Sequence, residues 1–350
     1  MTEGFRWCPH CKGPHSLRER VCSVTGLAFE ESLHLLTPHQ PFRSRFEGMI
    51  LDRKYRLVRQ IGAGGMGLVF EAEHLQLKRL VAVKLVSGGA GPQAMVRLER
   101  EARLIASIKH ENICALHDFG RSPNGDPYVV FERLFGETLA ERAQGRLQLP
   151  VQATIALFSQ LLSGLQAAHE GRIIHRDLKP QNVFLVDRMG REPLVKILDF
   201  GLAQDLSATG SRITRPGASC GTLQYMSPEQ LRVEALDHRS DLFAVGIMLY
   251  EALAGRHPFA ASSPVELHIK VLRDAPPPLR ARRPDVPQEL EQAIMWALSR
   301  SPAHRPSSAV ELQRALLSTV LSPYVPSFAD DEPVSATQPL WIASTSSPAA

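Results

Sequence analysis

Three absences narrow this sequence before any motif is considered. Cysteine is scarce: five in 350 residues, an odd number, with Cys8, Cys11 and Cys22 crowded at the front and Cys114 and Cys220 far behind. That pattern excludes the even framework of a small secreted scaffold stapled by disulfides, and it points to a reducing, cytoplasmic setting. Long apolar runs are missing too. The longest, Leu242–Tyr250, stops against Glu251 and is about half of the ~20 residues that cross a bilayer. No apolar signal core opens the chain, so no membrane partner is expected. An excess of one charge is the third absence. The formal net charge is +4, too small to imply a nucleic-acid partner without a localised patch. The basic clusters that exist, such as Arg280, Arg282 and Arg283 beside three prolines, read as a solvated loop.

What is present suits a globular protein: 44% hydrophobic and 22% charged residues, enough for a core without disulfides. The length fits one large two-lobed domain or two smaller ones. Residues 1–54 are mixed in character and read as an N-terminal extension, broken by Pro38 and Pro41. From Tyr55 the pattern changes. Short β-branched or alternating runs at Tyr55–Ile61, Leu68–Glu73 and Leu80–Leu85 predict three strands, and Cys114–Phe119 and Tyr128–Glu132 two more. Between them, Met95, Leu98, Ala102 and Ile105 recur at near-helical spacing over Gln93–Ile108. This α+β pattern is a small five-stranded antiparallel sheet with one helix laid on it, over residues 55–133.

Residues 134–321 are mainly helical, with helices predicted at Val151–Glu170, Leu242–Leu253, Val265–Leu272, Leu290–Leu298 and Ala309–Leu321. Residues 322–350 hold five prolines and three acids and no Lys or Arg, and they read as a disordered tail.

Two features in the first lobe bear on chemistry. Gly62-Ala63-Gly64-Gly65-Met66-Gly67-Leu68-Val69 fits G-x-G-x-x-G-x-V. Glycines between two strands let the backbone approach phosphate oxygens with no Cβ in the way. A Gly-rich hairpin with no ligand explains the same residues. The dinucleotide-binding alternative needs a helix after the glycines, where a strand is predicted. Val81-Ala82-Val83-Lys84 then places one lysine at the end of an apolar strand, its neighbours Val83 and Leu85 facing the other way. An inward lysine needs anionic company. Glu101 on the following helix is the natural fixed partner and nucleotide phosphates the mobile one; a purely structural Lys–Glu pair is the bland alternative.

The second lobe is more specific. His175-Arg176-Asp177-Leu178-Lys179-Pro180-Gln181-Asn182 matches H-R-D-L-x-x-x-N at every specified position, and Asp199-Phe200-Gly201 follows. With these motifs in this order, the sequence resembles bacterial eukaryotic-like (Hanks-type) serine/threonine protein kinases over about three quarters of its length. The resemblance implies a two-lobed kinase fold, ATP with Mg²⁺ (or Mn²⁺ in its place), and protein substrates bearing Ser or Thr. By resemblance Asp177 is the catalytic base, Lys179 meets the transferring phosphate, and Asn182 and Asp199 hold the metal. Lys84, steadied by Glu101, contacts the α- and β-phosphates. ATP would be held by Ile61, Gly62, Ala63, Gly64, Gly65, Met66, Gly67, Leu68, Val69, Ala82 and Lys84, with the backbone of Glu132 and Leu134 at the adenine edge. Leu185 or Phe184 would complete the walls, Phe131 stand as gatekeeper, Arg133 point to solvent and Glu137 reach the ribose.

Lys179 and Gly221-Thr222 ahead of Ser227-Pro228-Glu229 carry, by the same resemblance, the serine/threonine class. Glu229 with Arg305 corresponds to a bracing ion pair, and Asp241 to an anchor of the catalytic loop. Arg176 implies activation by phosphate on the loop 202–226, with Thr214 the leading acceptor and Ser219 next, placed there by a transient second copy. The rival readings are a pseudokinase scaffold, against which Lys84, Asp177, Asn182 and Asp199 all stand, and a small-molecule phosphotransferase, which lacks the Ser-Pro-Glu stretch. Cys8-Pro9-His10-Cys11 with Cys22 resembles most of a zinc ribbon; the fourth ligand is missing, and a metal-free degenerate knuckle is the equal alternative.

Overall fold

The computed structural model describes residues 5–7, 14–16, 46–64, 67–86, 92–143, 148–200 and 223–321. At the front, β1 (Phe5–Trp7) and β2 (Pro14–Ser16) form an antiparallel pair of their own. The small lobe follows with β3 (Ile50–Leu51), β4 (Tyr55–Gly64), β5 (Gly67–His74), β6 (Arg79–Val86), α1 (Pro92–Ser107), β7 (Leu116–Arg121) and β8 (Pro127–Glu132). All its strand pairs are antiparallel, in the order β3-β4-β5-β6-β8-β7.

The sheet therefore has six strands where the sequence pattern predicts five, and it begins before Tyr55. The added strand comes from a hook. Gly48 at φ 84° and the turn residues Asp52 and Arg53, at φ 45° and 55°, fold residues 46–54 back on β4. The Gly48 N–H donates to the Leu57 carbonyl at 2.8 Å, and the Leu57 N–H to the Met49 carbonyl at 2.9 Å. Two residues of strand carry no alternation, which is why the pattern misses them.

The hook also changes the burial of β6. Val83, Lys84 and Leu85 are all buried, rather than alternating between core and solvent. One face of the sheet is covered by a cluster of Leu51, Tyr55, Leu57, Phe70, Val81, Val83 and Tyr128, sealed by Phe46 and Met49. The other face joins a core that runs from Leu98, Ala102 and Ile105 on α1 into the large lobe.

That lobe contains β9 (Gly136–Thr138), α2 (Leu139–Ala143), α3 (Val151–Glu170), β10 (Val183–Val186), β11 (Leu194–Ile197), α4 (Pro228–Leu231), α5 (Arg239–Ala254), α6 (Pro264–Arg273), α7 (Gln288–Ala297) and α8 (Ala309–Leu321). α3 buries Ile155, Phe158, Leu161, Leu162, Leu165 and Ala168. It starts after the extended Pro150 and stops at Gly171, as the sequence pattern predicts. α5 contains the longest apolar run, and Leu242–Tyr250 is buried throughout. It is hydrophobic on every side because it lies in the core, and Gly255 at φ 67° ends it. No helix among the described residues is long and apolar enough to cross a membrane.

The three-stranded sheet β11-β10-β9 escapes the sequence pattern. Its strands are only three or four residues long. Gly136, at φ 143°, is obligatory there, because a Cβ would sit 2.0 Å from the Leu185 carbonyl oxygen.

Candidate functional site

α3 delivers the chain to a loop whose backbone is pinned from below. Asp241, in the first turn of α5, is almost wholly buried. Its Oδ2 accepts the His175 N–H and its Oδ1 the Arg176 N–H, both at 2.9 Å, and His169 Nε2 lies 2.8 Å from Oδ2. Burial pushes this carboxyl up, but the hydrogen bond and charge of His169 and the bonds from the loop outweigh it and hold it below the usual range. His175 is fully buried and ties two segments together. Its Nε2–H donates to the Leu198 carbonyl at 2.8 Å, and its Nδ1 accepts the Asp177 N–H at 3.3 Å.

On this base Asp177, Lys179 and Asn182 come together. Lys179 Nζ lies 2.8 Å from Asp177 Oδ2. Asn182 Nδ2 donates to the Asp177 carbonyl at 2.7 Å and lies 3.4 Å from its Oδ2, which turns Asn182 Oδ1 away from Asp177. Asp199 sits at φ 51°, a left-handed conformation that Asp tolerates better than most residues.

Lys84 departs from the sequence reading. Its Nζ lies 2.9 Å from Asp199 Oδ2, so its ion pair is with Asp199 rather than with Glu101. Glu101, half-buried on α1, makes contacts of its own. A nearly buried ammonium requires a carboxylate within reach, and the left-handed backbone of Asp199 supplies one from the large lobe.

The glycine loop joins β4 to β5, with Gly62 opposite Val69, Ala63 opposite Leu68 and Gly64 opposite Gly67. Gly65 and Met66 lie outside the described residues. Gly67, at φ 139°, admits no side chain: a Cβ would be 1.9 Å from the Leu85 carbonyl oxygen. In the register of β5 and β6, Val69 pairs with Lys84 and Glu71 with Ala82, and Ala82 pairs in turn with Phe131 of β8. Ile61 is half-buried beside the loop, and Leu185 is fully buried in β10. At the hinge, the Glu132 N–H donates to the Ala115 carbonyl at 3.0 Å. The Glu132 carboxylate takes the Ala115 N–H at 2.8 Å and Lys196 Nζ at 2.6 Å. The Leu134 carbonyl accepts from Arg133.

A family model described as "Protein kinase domain" matches residues 55–317. The chain belongs to the protein kinase family.

Its relatives carry serine/threonine kinase names. The chain is 39% identical to "Serine/threonine-protein kinase pkn3" of Myxococcus xanthus over 77% of its own length and 50% of the relative's. It is 36% identical to "Serine/threonine-protein kinase PknB" of Mycolicibacterium smegmatis, over 76% of this chain and 43% of that protein. With PrkC of Bacillus subtilis the figures are 35%, 76% and 40%. The chain thus spans half or less of the length of these relatives. The crystal structure of the PknI kinase domain from Mycobacterium tuberculosis matches with a TM-score of 0.62 and 26% identity, covering 78% of this chain and 98% of that one.

Within this kinase domain the bracing pair is fully formed. Arg305 Nη1 and Nη2 meet Glu229 Oε1 and Oε2 at 2.6 and 2.7 Å, with Ser240 Oγ–H also donating to Oε1 at 2.6 Å. Burial pushes the Glu229 carboxyl up, but the bonds from Arg305 and Ser240 hold it below the usual glutamate value.

The kinase fold also contains a cluster that the sequence reading missed. Arg133 does not point to solvent: its Nε lies 2.8 Å from Glu71 Oε2, and its guanidinium covers the Phe135 ring at 4.5 Å. Arg59 grips the same carboxylate through Nε at 2.9 Å and Nη2 at 3.1 Å. Burial pushes the Glu71 carboxyl up, but Arg133 and Arg59 outweigh it and hold it low. A signal was available, because Glu71 lies two residues from Val69 and so shares its face of the strand. Glu137 pairs with Arg142.

The zinc candidates Cys8, Cys11 and Cys22, the acceptors Thr214 and Ser219, Gly221-Thr222 and the tail 322–350 lie outside the described residues. Among those described, no group of three or more His, Cys, Asp and Glu side chains could hold a metal.

Proposed function

We propose that this kinase domain transfers the γ-phosphoryl group of ATP to Ser and Thr hydroxyls of proteins. The observation that carries the reading is the Asp177 carboxylate, fixed between Lys179 and Asn182 on a loop anchored by Asp241. Phosphoryl transfer asks mainly for alignment and charge neutralisation. Asp177 accepts a hydrogen bond from the acceptor hydroxyl and takes its proton as the new O–P bond forms and the bond to ADP breaks. Lys179 meets the oxygens of the transferring group. Lys84 leaves Asp199 for the α- and β-phosphates, and Glu101 is proposed to steady it there. Gly62 to Val69 cover the triphosphate, while Ala82 and the backbone of Glu132 and Leu134 receive the adenine.

Asn182 Oδ1, turned away from Asp177, and the part-exposed Asp199 carboxylate are hard oxygen donors that fit Mg²⁺, with Mn²⁺ as a substitute. Bound there with the triphosphate, the ion would supply charge neutralisation for the transferring phosphoryl group. The single carboxylate agrees with a metal held jointly with the nucleotide rather than in a protein cage.

Activation-loop phosphorylation at Thr214 or Ser219 by a second copy, and a cytoplasmic setting, extend the proposal. The antiparallel pair β1 and β2 flanks Cys8 and Cys11 in the sequence, which suits a knuckle that with Cys22 would supply three of the four ligands of a zinc site.

The test is Asp177→Asn. The folded variant, assayed with Mg·ATP and a generic protein substrate, is expected to lose at least about 10² in kcat. Wild-type activity in that variant removes the assignment. A wild-type chain that binds ATP without transferring phosphate is a pseudokinase.

A further inference from the structure

Ser227, Pro228, Glu229 and Gln230 open α4 with a capping box. Ser227 Oγ accepts the Gln230 N–H at 3.4 Å, while Gln230 Oε1 accepts the Ser227 N–H at 2.9 Å and its hydroxyl at 3.2 Å. A capping box needs only an acceptor on that third residue, and glutamate serves as well as glutamine. Here the other half of the amide is also used. Gln230 Nε2 donates to the Arg176 carbonyl at 2.7 Å.

That carbonyl belongs to the same peptide plane as the Asp177 N–H. Gln230 therefore holds one end of the plane and His175 the other, its carbonyl accepting the Asp177 N–H at 2.8 Å and its Nδ1 at 3.3 Å. The plane needs holding, because Arg176 sits at φ 65°, a region uncommon for side chains other than glycine, Asn and Asp. Any rotation of the plane swings the Cα–Cβ bond of Asp177, and the carboxylate with it.

We propose that Gln230 is a positioning residue for phosphotransfer. Its carbonyl oxygen fixes the segment that ends in Ser227, and its amide nitrogen keys that segment to the peptide plane of Asp177. The Asp177 carboxylate and the Ser227 end of that segment are thereby set in register by one side chain. This assignment rests on the kinase reading above.

Gln230→Glu separates the two halves of the amide, since it keeps the capping acceptor and loses the donor. Gln230→Leu loses both. The measurements are Tm, KM for ATP and kcat on a Ser/Thr peptide, from about pH 5 to pH 8. For Gln230→Glu the expected result is a Tm within about 2 °C of wild type, an unchanged KM for ATP, and a kcat lower by about 10-fold at pH 8. The ratio of variant to wild-type kcat is expected to recover as pH falls, because the introduced carboxyl, once protonated, regains an O–H donor for the Arg176 carbonyl. Gln230→Leu is expected to lose kcat at every pH.

A Gln230→Glu kcat within about two-fold of wild type across the range overturns the assignment, as does a kcat loss that ignores pH and tracks a loss of Tm. A wild-type chain that transfers no phosphate defeats the kinase reading and this assignment together. A wild type that transfers, matched by Gln230→Glu, defeats this assignment alone.

Discussion

Glu229 and Arg305 show how one pair of side chains holds a lobe together. Both are buried, and Arg305 also donates to the carbonyls of Ser299, Arg239 and Arg300 and lies 4.8 Å from the Phe243 ring centre. A buried ion pair with every donor and oxygen satisfied adds little over an apolar substitute, yet removing one partner strands the other charge. Glu229→Gln is therefore expected to destabilise the fold by about 3–5 kcal/mol, read from urea unfolding. The sign of the pH dependence follows from the depressed carboxyl. In the folded state Glu229 titrates below its ordinary value of 4.5, so its contribution is intact above that pH and is lost as pH falls through the folded value. Asp241 acts in the same direction. Wild-type stability should fall below about pH 4.5, and Glu229→Gln should flatten that fall. An equally steep acid decline in the variant would assign the effect to other carboxylates. At this scale the sequence was informative about residue type and less so about partner. Asp177, Lys179 and Asn182 converge as their spacing suggests, because they share one short loop. Lys84 and Arg133 find partners far away in the chain, Asp199 just after β11 and Glu71 on β5, and spacing in the sequence does not pair them.

Helices with a full apolar stripe were legible in the sequence, and α3 and α8 fall at the boundaries their periodicity predicts. The elements that escaped are β1, β2, β3, β9, β10, β11, α2 and α4, each of two to five residues. Runs that short establish no period, and tertiary contacts decide them. The hook of residues 46–54 is the consequential case. Leu51 is fully buried, Phe46 packs edge-on against Phe70 at 6.0 Å, and Asp52 accepts from the buried Tyr128 hydroxyl. A chain cut to begin at Tyr55, where the pattern changes, would lose all three contacts and expose the outer face of the sheet. Losing Leu51 alone corresponds to about 2–5 kcal/mol. Thermal melts should place a chain beginning at Phe46 within about 2 °C of the full chain, and one beginning at Tyr55 at least about 5 °C lower. Equal melting of the two shortened chains would show the hook to be dispensable.

Among the described residues, the two lobes share one apolar core and meet in three ion pairs, the exposed Arg188–Glu111 pair at 3.9 Å and two shorter ones. Lys196 of the large lobe lies 2.6 Å from Glu132 at the hinge, and Lys84 of the small lobe lies 2.9 Å from Asp199. The first links the hinge to the strand that leads to Asp199, and nothing in the proposed chemistry requires it to open. The second is different in kind, because the proposed chemistry gives both partners other work once Mg·ATP is present. In that proposal Lys84 meets phosphate and Asp199 the metal, so ligand binding would exchange one cation–anion pair for two. That exchange predicts how stability responds to ligand. At about 100 times its Kd, a ligand bound only to the folded state stabilises it by about 2.7 kcal/mol, several degrees in Tm for a domain of this size. With a non-hydrolysable ATP analogue and Mg²⁺, the wild type should show that rise. Lys84→Met, at the same ligand concentration, should show less than about half of it while its ligand-free Tm stays near wild type, since Asp199 is part-exposed and water replaces its lost partner. Asp199→Asn should behave differently, losing the part of the rise that depends on Mg²⁺ and keeping the part given by nucleotide alone. Identical rises in all three proteins would mean that the nucleotide binds away from this ion pair, and the cleft assignment would fall with it.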